Sequence, residues 1–174
     1  MATIPPHLIF DPYAPIPAKM SVKDRGRLQE LREAYTASMA SNIPKKAINV
    51  PEDAAEIFAP LLAHLQVEQL AVLGQDPRNR PIEAPVIVTR GDVDGADAGP
   101  RAILRAVLIM GSTSFIVAHN HPTGEVSPSQ GDINVTRRLV AAGKAVDCPL
   151  NDHIIVARGN MFYSMRRSNP DLWT

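Results

Sequence analysis

The strongest constraint on this chain is a short segment in which a strand pattern ends in two histidines and a helix pattern follows. Residues 113–118 have the β-branched and aromatic content of a buried strand, and His119-Asn120-His121-Pro122 comes directly after them. Pro122 and Gly124 then favour a turn, and Pro128-Ser129 is typical of a helix start. The sequence therefore predicts a strand, a turn and a helix, with both histidines at the end of the strand.

The polar side chains of this segment are typical of a metal site. In an extended strand, residues i and i+2 point to the same side about 6.5 Å apart, so His119 and His121 can approach one ion. Asp132 opens the mainly apolar face of the helix, where a carboxylate is costly unless it is paired, hydrogen-bonded or bound to a cation. Two imidazoles and one carboxylate suit zinc and leave a fourth position for water, whose pKa zinc lowers to about 7. His119, His121 and Asp132 are therefore predicted to be the ligands of a catalytic zinc ion.

Ser129 and Asp132 also have a purely structural interpretation. Ser-x-x-Asp at a helix start resembles a capping box, which would account for both residues without any metal. The two interpretations are compatible for Ser129. The combination of HxHP, a loop and SxxD is more specific than either part, and it favours the metal.

Four segments resemble the bacterial RadC family, whose JAB/MPN domain carries the JAMM (MPN+) metallopeptidase motif of a distant Glu, HxH and SxxD. They are residues 119–124 (HNHPTG), 128–132 (PSQGD), 136–139 (TRRL) and 152–155 (DHII). The resemblance covers roughly residues 46–165. It implies an α/β fold, a JAB/MPN-like (cytidine-deaminase-like) sandwich with a central mixed β-sheet flanked by helices. The alternation of strand and helix patterns along the chain predicts the same class.

The resemblance also implies roles for individual residues. Glu68 matches the family's distant Glu and would be the general acid/base, while Ser129 would hydrogen-bond the oxyanion. Without the motif, Glu68 would be interpreted as a solvated residue between a helix and a strand. Asp152 and His153 are a pair that recurs in the family, and two interpretations stay open: support for the site, or a hydrogen-bonded pair at the core edge.

The remaining patterns predict the domain organisation. Residues 1–45 are expected to form a proline-rich arm and an N-terminal helix. The arm, residues 1–20, is expected to be extended and to form no element of the core, and the helix is expected from Ser21 to about Met39. Residues 46–166 are expected to form the JAB/MPN domain, and residues 167–174 a tail. The predicted strands of the domain are 46–50, 68–74, 82–90, 150–158 and 161–165, and the predicted helices include 100–111, which would bury Ile103, Leu104, Val107 and Leu108.

Composition excludes several classes of protein. The 18 basic and 18 acidic residues give a formal net charge of zero, which argues against strong binding of nucleic acid through its phosphates. The single cysteine, Cys148, excludes an internal disulfide and a Cys-rich zinc site, and it is expected to be a small turn or core residue rather than a nucleophile. No apolar run approaches the roughly 20 residues of a membrane span, and Met1–Pro6 lacks the pattern of a signal peptide, so we expect a cytoplasmic protein.

The function predicted from these observations is a zinc-dependent metallopeptidase or isopeptidase. Its partner would be a peptide or protein substrate, and a ubiquitin-like conjugate is one candidate. Two alternatives are a DNA-repair-associated protein with a structural or vestigial metal, and a catalytically silent scaffold that recruits partners. The charge balance disfavours the first and the intact ligand set disfavours the second. The oligomeric state, including a homodimer, stays open.

Overall fold

The computed structural model describes residues 4, 8–9, 16–41, 46–90 and 99–174. The chain divides into two compact units, Met1–Ile43 and Pro44–Thr174. Most of residues 1–20, and the side chain of Met39, lie outside the described residues. Within the described residues, none of the helices is both long and apolar enough to cross a membrane.

The first unit contains helix α1, Val22–Ser41. Its predicted start is confirmed, because the Ser21 hydroxyl accepts the backbone N–H of Asp24 at 3.1 Å and donates to its carboxylate at 2.8 Å. Leu8 is buried with Leu28 of α1. The expectation that residues 1–20 are extended is wrong at Leu8 and Ile9, which are helical. Burial of Leu8 with Leu28 stabilises this short segment, and the proline content of residues 1–20 does not indicate such a contact.

The second unit is built on a five-stranded mixed sheet in the order β2-β1-β3-β4-β5. β3 runs parallel to β4, and the other neighbouring strands are antiparallel. The predicted α/β class with a mixed sheet is therefore confirmed. The strands are β1 Gln69–Gln75, β2 Val86–Arg90, β3 Ser114–Asn120, β4 Leu150–Ala157 and β5 Met161–Ser164; the helices are α2 Pro51–Leu62, α3 Pro100–Ile109, α4 Gln130–Ala145 and α5 Met165–Ser168, followed by a 3-10 turn, Pro170–Trp173.

The core lies on both faces of the sheet. Helices α3 and α4 cover one face, on which alternate residues of β1 and β3 form an apolar cluster with helix residues such as Ile103 and Leu139. Helix α2 packs against β4, β3 and β1. Cys148 is buried, which favours the core alternative. The parallel pair β3 and β4 needs a crossover connection, and α4 supplies it.

Three predicted details are wrong. Residues 46–50 form no strand: in this segment the backbone N–H of Ile48 bonds the carbonyl of Asn79 at 2.9 Å, without a ladder. β2 begins at Val86 rather than at residue 82, because Pro81 and Pro85 have no N–H to donate to a ladder. Leu108 is 49% exposed on α3, where Ile103 and Val107 take the positions that face the core.

Candidate metal centre

Four side chains predicted from the sequence meet at one edge of the sheet. His119 lies near the end of β3, His121 follows it, Asp132 lies in the first turn of α4 and Glu68 comes just before β1. One imidazole nitrogen or carboxylate oxygen from each residue lies within 4.8 Å of those of the other three. These four residues could therefore hold a metal ion.

The sheet register explains why Glu68 joins residues 51 or more positions further along the chain. β1 and β3 are antiparallel, and Leu70 lies opposite His119. The start of β1 therefore adjoins the end of β3, so that Glu68 lies beside the segment that carries both histidines. Helix α4 begins after the loop that follows β3, which brings Asp132 to the same edge.

The distances in the cluster separate three close residues from a more distant fourth. His119 Nε2 lies 3.0 Å from Asp132 Oδ1 and 3.0 Å from His121 Nε2, and His121 Nε2 lies 3.6 Å from Asp132 Oδ2. Glu68 Oε1 lies 3.9 Å from His119 Nε2. The side chains of His119 and Asp132 are buried, whereas those of His121 and Glu68 are 15% and 27% exposed. The cluster therefore opens to solvent on the side of His121 and Glu68.

His121 is oriented by a backbone carbonyl. Its Nδ1 lies 2.8 Å from the carbonyl oxygen of Glu125, which can only accept. Nδ1 therefore carries the proton, and in the neutral ring Nε2 keeps its lone pair toward the cluster. The Asp132 carboxylate raises the pKa of His121, since it favours a positive charge at this nitrogen. A positive charge is thus favoured between these groups, whether a proton or a metal ion carries it.

Asp132 is held by the helix cap that the sequence predicted. The backbone N–H and the hydroxyl of Ser129 both donate to Asp132 Oδ2 at 2.7 Å, and the Ser129 hydroxyl oxygen accepts the backbone N–H of Asp132 at 3.1 Å. The predicted capping box is confirmed, and it leaves Asp132 Oδ1 facing His119. Burial alone would raise the pKa of Asp132, but the imidazoles of His119 and His121 and the Ser129 hydroxyl more than offset it, so that the pKa lies well below its usual range. The carboxylate is therefore ionised.

Asn120, between the two histidines, has a role that sequence reasoning missed. Its side chain is buried; its Oδ1 accepts the backbone N–H of Gln69 at 2.9 Å, and its Nδ2 donates to the carbonyl of Val67 at 3.2 Å. These bonds hold the residues on either side of Glu68. A sequence signal for this role was available. Asn120 is a polar residue at the end of a buried strand, where its side chain points to the opposite face from the two histidines and needs hydrogen-bond partners.

The side chains of His153 and Asp152 lie on opposite faces of the sheet, because successive strand residues point to opposite faces. His153 is fully buried and its Nε2 lies 2.8 Å from His119 Nδ1, so it supports the cluster. Asp152 accepts the Ser164 hydroxyl at 2.6 Å and the backbone N–H of Arg166 at 3.0 Å. Burial outweighs these hydrogen bonds and raises the pKa of Asp152. The supporting interpretation thus suits His153 and the core-edge interpretation suits Asp152.

A cavity of about 500 Å³ elsewhere in this unit does not belong to the cluster. Its lining includes Ala54 of α2, Asn151, Asp152 and Arg166, and none of the four cluster residues. The amide of Asn151 is already bonded to Gln75 and the Ser114 hydroxyl. The chemistry of the cluster, rather than the size of this cavity, therefore identifies the candidate site.

The chain is similar to known proteins over most of the second unit. The model of a family described as RadC-like JAB domain matches residues 48–170. A UPF0758 protein of Cyanothece sp. is 43% identical over 126 residues, which cover 72% of this chain and 51% of that protein. A UPF0758 protein of Staphylococcus carnosus is 38% identical over 130 residues, covering 72% and 57%; one of Symbiobacterium thermophilum is 33% identical over 122 residues, covering 69% and 52%. The chain spans about half the length of these curated relatives, and their names state no activity.

Proposed function

This chain belongs to the family of RadC-like JAB domains, and from that premise we propose that it is a zinc-dependent hydrolase of amide bonds in peptides or proteins. The observation that carries this proposal is the convergence of two imidazoles and an ionised carboxylate beside a second, partly exposed carboxylate. The first three would hold the ion. The second carboxylate, that of Glu68, would move the proton.

The spacing of the ligand atoms supports zinc. Atoms about 2.0 Å from a tetrahedral ion lie about 3.3 Å from one another. His119 Nε2 lies 3.0 Å from His121 Nε2 and 3.0 Å from Asp132 Oδ1, the carboxylate oxygen that the Ser129 cap leaves free. Glu68, at 3.9 Å from His119, fits a neighbour of the ion better than a fourth ligand. When bound, zinc would lower the pKa of a water molecule and polarise the amide carbonyl.

Glu68 is the residue proposed to act as general base and then as general acid. Its side chain is partly buried at the open side of the cluster, which suits a carboxylate that must exchange a proton near neutral pH. The oxygen of water would form a bond to the amide carbon as Glu68 accepts the proton. The C–N bond would then break, and Glu68 would return the proton to the leaving amine.

Ser129 is proposed to orient the Asp132 carboxylate and to bond the oxyanion, the second role being the one that the family implies. Its hydroxyl donates to Asp132 Oδ2 in this structure, and its backbone N–H donates to the same oxygen. The hydroxyl could therefore turn toward a substrate oxygen while the N–H keeps the carboxylate in place.

Metal content and amide hydrolysis together test the proposal. Elemental analysis of the full chain, purified without chelators, should give about one zinc per chain, and the double variant His119→Ala/His121→Ala should retain almost none. His64→Ala is the matched control, since His64 is exposed and outside the cluster. A library of quenched fluorescent peptides should be cleaved by the wild type, and a chelator should stop the cleavage until zinc is restored. Equal zinc in the wild type and the double variant would contradict the proposal.

A further inference from the structure

A row of buried hydrogen bonds runs from the cluster into the core. His119 Nδ1 lies 2.8 Å from His153 Nε2, and His153 Nδ1 lies 2.7 Å from the hydroxyl oxygen of Thr136. The Thr136 hydroxyl donates to the backbone carbonyl of Asp132 at 2.6 Å. The side chains of His119, His153 and Thr136 are fully buried. The row thus begins at one proposed metal ligand and ends on the backbone of another.

The chemistry of the last partner sets the direction of every hydrogen bond in the row. A carbonyl oxygen only accepts, so the single hydroxyl proton of Thr136 points to Asp132. The Thr136 oxygen must then accept from His153, which places a proton on His153 Nδ1. A second proton on His153 would create a buried cation with no carboxylate at either ring nitrogen, which is costly. His153 Nε2 therefore accepts the Nδ1 proton of His119.

We propose that His153 and Thr136 are positioning residues that fix His119 in the tautomer whose Nε2 lone pair faces the metal. The inference rests on the metal binding of the proposed function and names the residues that prepare one ligand for it. Ligating histidines commonly donate their second ring nitrogen to such a partner, which sets the ring orientation and raises ligand basicity. Here the partner is an imidazole, and its own orientation depends on a threonine.

The fold brings these residues together by three local features. In a regular strand, Leu150 and His153 would point to opposite faces of the sheet. The register shift between β3 and β4 lies between them, and both side chains face α4. The backbone N–H of His153 is held by the Asp152 carboxylate at 2.7 Å. On α4, Thr136 lies one turn after Asp132, so the same helical face supplies a proposed ligand and the end of the row.

Two variants of the full chain test the proposal: Thr136→Val, which has the shape of threonine, and Thr136→Ser, which keeps the hydroxyl. Zinc affinity would be measured by competition with a chromophoric chelator. The serine variant keeps the hydroxyl and should bind zinc as the wild type does. The valine variant replaces the hydroxyl with a methyl group and should bind zinc more weakly. His153→Leu should lose about 10- to 100-fold in zinc affinity, and His153→Gln should recover part of that loss because its amide can both accept and donate.

A spectroscopic measurement on the wild type tests the same inference and does not depend on whether a variant folds. In ¹⁵N-histidine spectra of the zinc-loaded chain, His153 should be the neutral tautomer with its proton on Nδ1, and His119 should carry its proton on Nδ1 with Nε2 bound. A proton on His153 Nε2 would overturn the inference. Equal zinc affinity of the two Thr136 variants would overturn the positioning role alone. A wild-type chain that binds no zinc would overturn both this inference and the proposed function.

Discussion

At the scale of single residues, the candidate site depends on side chains and carbonyls that would not touch the ion. The carbonyl of Glu125 orients His121, Ser129 orients Asp132, and Asn120 holds the backbone on both sides of Glu68. Each partner leaves one lone pair or one carboxylate aimed at the cluster. The ligand set is therefore prepared by hydrogen bonds, and the roles of individual residues can be tested separately.

Glu68→Gln should separate catalysis from metal binding. Glutamine keeps the shape of the side chain but cannot accept the proton, so turnover of an amide substrate should fall by about 10² to 10⁴ while zinc content stays near that of the wild type. Glu56→Gln, at an exposed position on α2, is the control and should change neither quantity. Loss of zinc from Glu68→Gln would make Glu68 a ligand and would favour a structural metal.

Asn120→Leu should lower both stability and turnover while zinc still binds. The change leaves the buried N–H of Gln69 without its Asn120 acceptor, which should cost about 1–3 kcal/mol in the free energy of unfolding. It also releases the segment that carries Glu68. Urea unfolding and kinetics would measure the two effects. The control Asn134→Leu, exposed on α4, should stay within about 0.5 kcal/mol; an equal effect of both substitutions would remove the special role of Asn120.

At the scale of elements, one β-α-β unit supplies most of the site. β3 ends in the two histidines, α4 begins with Ser129 and Asp132, and β4 contributes His153. The unit requires α4 to lie close to the segment that enters β4. Gly143, in the last part of α4, is buried at this approach. An added Cβ there would lie 2.6 Å from the carbonyl oxygen of Cys148.

Gly143→Ala should therefore destabilise the protein, although alanine favours helices. The gain in helix propensity is about 1 kcal/mol, and the clash with backbone atoms should outweigh it, for a net loss of about 1–3 kcal/mol. Gly26→Ala is the matched control in α1, where an added Cβ meets nothing within 4 Å. It should not destabilise. Urea unfolding of both variants checks the prediction, and equal stabilisation would show that α4 can move away from Cys148 without cost.

At the scale of the whole molecule, the sheet and the cluster belong to the second compact unit, Pro44–Thr174. The family match, residues 48–170, also lies inside this unit. The formal charge of the 174 residues is zero.

A chain that begins at Pro44 should fold and keep the metal site. The sheet, its core and all four cluster residues are retained. We expect one cooperative thermal transition and about one zinc per chain, measured by calorimetry and elemental analysis. Aggregation or a broad transition would instead show that residues 1–43 complete the core or form part of a dimer interface.

Binding to DNA should be weak and independent of sequence. With 18 basic and 18 acidic residues, the chain has no overall excess of positive charge with which to displace counterions from phosphates. A titration of duplex DNA at about 150 mM salt should give a Kd no tighter than the micromolar range, since non-specific binding usually lies near 10⁻⁴ to 10⁻⁶ M. A sub-micromolar Kd would favour the DNA-associated alternative.

The sequence by itself determined the features that depend on neighbouring residues. The strand before His119, the capped helix start at Ser129 and the α/β class follow from local periodicity and turn chemistry. The resemblance to the RadC family added Glu68, which no local pattern distinguishes from a solvated residue. The prolines at 81 and 85 were the sequence signal for a strand start after residue 85, but the strand pattern extends further back and led to a predicted start at residue 82.

Only the tertiary structure decided which distant residues surround the site. Asn120 bonds a residue 51 positions away, and His119 meets His153 34 positions further on. Residues 46–50 have a strand-like composition, yet this segment has no ladder. Contacts between segments far apart in the chain decide the pairing register, the register shift between β3 and β4, and the face on which each strand residue lies. Side-chain periodicity cannot specify such contacts, because a shift of one residue in register reverses every face.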